Sequence, residues 1–107
     1  MEKDILEPDV VLCFDKVAQS YGLISIKITP LGVRGFPDKM YLGFKKVIFF
    51  VEFKKPKAKP RKLQLAWHAL LKKMGFKIYV FDTTDSKAAA KICRENIPAA
   101  RIPRNRH

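Results

Sequence analysis

The residues best able to do chemistry in this chain occur in a short ordered series. Gly35-Phe36-Pro37-Asp38 places a carboxylate after a turn, Glu52-Phe53-Lys54 sets a carboxylate and an ammonium two residues apart, and Gln64 opens an expected helix. Two carboxylates can hold a divalent cation against a phosphodiester. A neighbouring lysine can orient the attacking water or stabilise the pentavalent charge. Oxygen donors suit magnesium or manganese. Asp38 and Glu52 would supply them, with the Phe53 backbone carbonyl as a third donor.

Each part has an ordinary explanation. Glu52 and Lys54 could form a strand-end salt bridge, and Asp38 after Pro37 could be a turn residue. Gln64 either reaches a water or phosphate near the cation or faces solvent. Trp67 reads as core. His68, one helical turn beyond Gln64, reads as solvent-exposed, with substrate contact as the alternative. Glu7, just before the first expected helix, is a further candidate ligand, direct or through water; Asp9 or Glu2 could serve instead, and a favourable charge at the helix N-terminus explains it equally well. The joint order of turn, acid, hairpin, apolar strand ending in Glu-x-Lys, basic loop and Gln-led helix is more specific than any part.

The elements that must position these groups follow from spacing. Val10, Phe14, Val17 and Tyr21 recur at helical steps, predicting a helix over about Pro8 to Tyr21 that stops at Gly22. Leu23 to Thr29 alternates as a strand, with Ile24, Ile26 and Ile28 on one face and Ser25, Lys27 and Thr29 on the other. Pro30 to Pro37 is turn-rich. Met40 to Leu42 is a short strand, joined by a tight turn at Gly43 to Lys46 to Val47–Lys54, which is apolar on both faces as a central covered strand should be. Its faces are Val47, Phe49, Val51, Phe53 and Ile48, Phe50, Glu52, Lys54, so Glu52 and Lys54 project together from the end of a buried face. A lone ionised carboxylate there is costly without a charge partner or metal. A helix from about Arg61 to Met74 presents Leu63, Trp67, Leu70, Leu71 and Met74, and ends at Gly75. Phe76 to Phe81 reads as an interior strand, and Asp85 or Ser86 caps a last helix, Lys87 to Glu95. The order helix, three strands, helix, strand, helix predicts an α/β fold with a mixed β-sheet flanked by helices, in one domain spanning residues 1–107 with a core of about 7–95 and a basic tail of about 96–107, expected to be mobile.

Lysine and arginine number 22 against 10 acids, a formal net charge of +12. That excess points to nucleic acid rather than to any particular fold. No long basic amphipathic helix suggests a membrane surface, and no apolar run is long enough to span a bilayer. The N-terminus carries no apolar stretch that would read as a signal peptide. Cys13 and Cys93 form no disulfide framework or ligand spacing and read as apolar packing residues in helices, compatible with a reducing cytoplasm. Lys55, Lys57, Lys59, Arg61 and Lys62, next to Lys54, form a dense basic loop beside the proposed cation. With Arg34 and Lys27 they read as a phosphate clamp, which carries no sequence information and predicts strong salt dependence.

Gly35-Phe36-Pro37-Asp38, Val51-Glu52-Phe53-Lys54 and Gln64 with Trp67 and Leu70 after it resemble the virus-type replication-repair nuclease domain (VRR-NUC) of the PD-(D/E)xK nuclease superfamily, over roughly Glu7 to Phe81. The resemblance implies a restriction-endonuclease-like core and magnesium- or manganese-dependent cleavage. It makes Asp38 and Glu52 the metal acids, Lys54 the catalytic lysine, Gln64 the supporting glutamine and Glu7 the N-terminal helix acid. It also implies a homodimer, similar in outline to Holliday-junction resolvases, acting on branched DNA in the cytoplasm of a bacterium or a phage-infected host. The reading is a structure-selective DNA endonuclease; the alternatives are a catalytically inactive basic nucleic-acid-binding module and a small basic RNA-associated protein.

Overall fold

The computed structural model describes residues 4–28 and 33–99. Expectations for Glu2, Thr29, the first part of the 30–37 turn and the tail beyond residue 99 fall outside these. The elements are α1 (Glu7–Ser20), β1 (Ile24–Lys27), β2 (Lys39–Gly43), β3 (Val47–Phe53), α2 (Lys62–Lys73), β4 (Lys77–Phe81) and α3 (Ser86–Asn96). The expected order holds, in an α/β fold with a mixed sheet. The strands lie in the order β1-β2-β3-β4, antiparallel across the first two pairings and parallel between β3 and β4. A tight turn suffices for the antiparallel β2–β3 step, whereas the parallel return to β4 needs a crossover, which α2 provides.

Alternation along β3 divides two cores. Phe49, Val51 and Phe53 turn to α1 and α3, where Val10, Phe14, Tyr41, Phe81, Ala89 and Cys93 complete the larger cluster. Phe14 is fully buried there, edge-on to Tyr41, Phe49, Phe53 and Phe81 at centroid distances of 5.0–6.4 Å, a favoured geometry for aromatic quadrupoles. Phe50 faces α2, in a smaller cluster with Leu71 and Ile78.

Three local expectations change. β4 is an edge strand rather than an interior one, and Lys77 and Val80 are exposed. All four residues of β1 are exposed although the alternation was read in the correct phase, because β1 is the opposite edge and Ile24 and Ile26 project on the face away from α1 and α3. On α2, Leu63, Leu70 and Met74 are exposed, and the buried residues are His68 and Leu71. The helix is therefore turned from its apolar stripe so that polar residues face the sheet.

That turn of α2 has a mechanical cause. Gly35 adopts φ +81°, and a Cβ built on it would lie 2.7 Å from Leu63 Cγ and 3.2 Å from the Gln64 nitrogen. The glycine thus lets the loop before Asp38 press against the first turn of α2. The Trp67 indole N–H donates to the Arg34 carbonyl at 2.9 Å, and the Phe36 ring sits between Trp67 and Phe50, edge-on at 5.1 and 5.8 Å. Loop, helix and central strand are pinned together beside Asp38, Glu52 and Gln64.

Candidate active site

Glu52 is the penultimate residue of β3, on the α2 face, and is 1% exposed. Its Oε2 accepts a hydrogen bond from Gln64 Nε2 at 2.6 Å, while Gln64 Oε1 accepts the Arg61 backbone N–H at 2.7 Å. The two bonds fix which end of the amide faces the carboxylate, since the reversed amide would oppose acceptor to acceptor and donor to donor. Gln64 thus turns to Glu52 rather than to solvent. It caps the N-terminal backbone of α2 and grips Glu52 together.

Asp38 stands just before β2, half-buried, and its Oδ2 accepts the Phe53 backbone N–H at 2.8 Å. This bond ties the turn to the end of β3 and brings the Phe53 peptide beside the acid. Lys54 follows, half-buried, its N–H donating to the Phe81 carbonyl at 3.1 Å. Among the described residues Glu52 and Lys54 form no direct salt bridge; His68 Nε2 stands 3.6 Å from Glu52 Oε1. His68 is buried, contrary to its expected exposure, because α2 turns its polar face inward. Glu7 is the first residue of α1 rather than preceding it, exposed, and close enough to raise the Glu52 pKa.

The electrostatics centre on Glu52. Burial, then the charge of Asp38, push its pKa from the ordinary carboxylate range up to about 8, with Lys54 acting in the opposite sense. Burial, then Lys72, push the His68 imidazole down. Among the described residues, no group of three or more His, Cys, Asp or Glu side chains converges to hold a metal ion by itself. A cation would therefore rest on Asp38 and Glu52, with peptide, water or substrate oxygens completing its shell. The donor set fits a hard divalent ion: two carboxylates repel each other, and Glu52 Oε1 is buried without a hydrogen-bond partner among the described residues.

A cleft of about 550 Å³ opens beside these groups, its lining including Glu7, Asp38, Phe53, Lys27 and Lys39. Lys27 therefore borders the cleft, whereas Arg34 is exposed on the preceding loop, its carbonyl accepting the Trp67 indole N–H. Lys55, Lys57, Lys59 and Arg61 are exposed in alternation with half-buried Pro56, Ala58 and Pro60, and Lys62 is exposed at the start of α2. The sequence reading passed over Asp15, Lys39 and Tyr41. Lys39 is ion-paired with Asp15, to which the Tyr41 hydroxyl donates at 2.6 Å. Only the adjacency of Lys39 to Asp38 signalled this network, and pairing with Asp15 offsets the charge Lys39 can offer an anion.

The pKa displacement fixes a sign. Unfolded Glu52 ionises in the normal carboxylate range; folded Glu52 does so near pH 8. Metal-free stability from this group is therefore full below the normal range and is lost as pH rises through it to about 8, at about 1.4 kcal/mol per unit of displacement. In EDTA, Glu52→Gln should be more stable than the wild type at pH 8–9, and the advantage should shrink toward pH 5. Urea denaturation of both proteins across that range measures it; a gap independent of pH would contradict the assignment.

No family model matches the chain. A search of curated proteins finds "Putative nuclease p44" of Acyrthosiphon pisum secondary endosymbiont phage 1, 39% identical over 64 residues, which cover 60% of this chain and 69% of that protein. Among solved structures, one described as "VRR_NUC domain" superimposes with a TM-score of 0.74 at 26% identity, covering 85% of this chain and 97% of that one. With the acid–acid–lysine–glutamine series assembled on that fold, the chain belongs to the virus-type replication-repair nuclease family, in the PD-(D/E)xK superfamily.

Proposed function

We propose that this protein is a metal-dependent, structure-selective DNA endonuclease that hydrolyses phosphodiester bonds. The observation that carries the reading is the buried Glu52 carboxylate beside Asp38, at the end of an otherwise apolar strand face, in a chain of net charge +12. A pure binding module gains nothing from an acid pair in a basic surface. Magnesium or manganese on Asp38 and Glu52, with the Phe53 carbonyl and Glu7 as further donors, would withdraw charge from the phosphate and acidify a bound water.

The protein's own residues have separable tasks. Gln64 holds the Glu52 carboxylate through Nε2. The Asp38 bond to the Phe53 N–H keeps the two acids in register. Lys54 orients the water or stabilises the pentavalent charge. Lys27, Arg34, Lys55, Lys57, Lys59, Arg61 and Lys62 bind the backbone on either side, favouring recognition of DNA shape, such as a branch or Holliday junction, over sequence. Function as a homodimer in a bacterial or phage-infected cytoplasm completes the reading. Among the described residues no helix is long and apolar enough to cross a membrane. A second copy would cover Ile24 and Ile26, exposed on the sheet face that α2 shares while packing against β4 at the far edge.

Incubation with a four-way junction, a linear duplex and a supercoiled plasmid should give cutting with manganese or magnesium and none with EDTA. Asp38→Ala and Lys54→Ala should each lose at least about 100-fold in single-turnover rate, with folding and most DNA binding intact; full activity in Lys54→Ala removes the mechanism. Binding without cutting by the wild type would favour the inactive binding module. Replacing Lys57 and Lys59 together by Ala should flatten the slope of log affinity against log salt by about 0.9 per lost phosphate contact; an unchanged slope excludes the loop as clamp. Light scattering should give twice the 12.3 kDa chain mass, reverting to monomer in Ile24→Lys/Ile26→Lys, and a monomeric wild type would end the dimer proposal.

A further inference from the structure

Gln64 and His68 lie one turn apart on α2, and each faces a different oxygen of Glu52: Gln64 Nε2 stands 2.6 Å from Oε2, and His68 Nε2 stands 3.6 Å from Oε1. Both side chains of the second pair are more than nine-tenths buried, at 7% and 1% exposure. Both facing atoms lack a hydrogen-bond partner among the described residues. Two buried polar atoms left open toward each other are costly unless they meet in a working state of the protein. The gap exceeds a hydrogen bond by a few tenths of an ångström, which a small rotation of either side chain closes.

We propose that His68 is a positioning residue for Glu52: its Nε2–H and the Gln64 amide form a two-point clamp that fixes the plane of the carboxylate. This rests on the reading of Glu52 as a metal-holding acid. The Nε2–H donor is available in the cation and in one neutral tautomer, so the clamp does not depend on the charge state of the ring. A single hydrogen bond leaves a carboxylate free to swing about it, whereas two donors on different oxygens set its orientation and leave each oxygen a second lone pair for a cation. The helix can apply both because its apolar stripe was sacrificed to exposure. Trp67 and Gly35 anchor α2 with Gln64 and His68 inward, and Leu71 fills the sheet beyond them. The role acts through Glu52, as outer residues act on metal-bound carboxylates elsewhere.

Two substitutions separate positioning from packing. His68→Leu fills the space without a donor, and His68→Gln supplies an amide donor with a poorer fill. Manganese titration followed by the thermal unfolding midpoint, and single-turnover cleavage of the best DNA substrate against manganese concentration, are measured for both. The clamp predicts that His68→Leu needs at least about tenfold more manganese for half-maximal stabilisation and for half-maximal cleavage, with the unfolding midpoint in EDTA near or above that of the wild type. His68→Gln should return both manganese midpoints to within about threefold of wild type even if its EDTA midpoint falls. A folded His68→Leu with wild-type manganese dependence overturns the proposal. Should His68→Leu fail to fold, His68→Gln decides alone: a tenfold rise in its manganese midpoint also overturns it. A wild type that neither cuts nor responds to manganese brings down the nuclease reading itself, and the role of His68 with it; a wild type that does both while His68→Leu matches it removes only the clamp.

Discussion

The constraint on which the rest of this structure turns is an ionisable carboxylate, Glu52, placed where the sheet is otherwise apolar. At 1% exposure it has lost almost all its water, and a group so placed either protonates or must be given charge partners and donors. The fold supplies each in a recognisable way. Gln64 donates to one oxygen, His68 faces the other, and Lys54 follows two residues on. Asp38 adds a second negative charge where a first was already expensive. That addition opposes stability, and the cation proposed for the two acids would compensate it.

The same constraint explains why α2 does not bury its most apolar face. Leu63, Leu70 and Met74 are given to solvent so that Gln64, His68 and Leu71 can meet the sheet. Amphipathic spacing describes what a helix prefers when burial of hydrocarbon is the only term. Here the first turn is fixed by contacts that periodicity does not weigh: the close approach of Gly35 to Leu63 and Gln64, and the Trp67 bond to the Arg34 carbonyl. Phe36 then wedges against both Trp67 and Phe50, so the orientation is locked by aromatic packing from the loop side.

These contacts also divide what was legible in the sequence from what was not. Element order, the central strand and its two faces, the Gly75 stop and the Asp85 cap were readable because each depends on local chemistry or on the alternation of side chains along β3. The acids and the lysine were readable as candidates because polar groups are conspicuous at the end of an apolar strand. The burial of His68 was not, because it depends on the rotation of one helix about its axis, which follows from a glycine contact between segments almost thirty residues apart. Edge and interior strands were equally hard to tell apart: β4 pairs with β3 on one side only, and carries apolar residues for a sheet edge because α2 and α3 cover parts of it. The Asp15–Lys39–Tyr41 network was missed for a similar reason, since it joins α1 to the β2 face it packs on, with no signal in either segment alone.

The charge distribution is best understood from the two lysine environments this network creates. Lys39 borders the cleft but is held by Asp15, itself fixed by Tyr41, so its position is determined and its charge largely spent within the protein. Lys55, Lys57 and Lys59 stand exposed on a loop whose prolines and alanine turn inward. One lysine shapes the wall of the site; the others present charge to what arrives there. Field strength over a surface comes from such exposed cations, and it acts over about 8–10 Å at moderate ionic strength. On the proposed reading, a polyanionic substrate would meet this positive loop beside Glu52 as it approached. The acid pair would repel a phosphodiester on its own, and neighbouring positive charge would offset that repulsion.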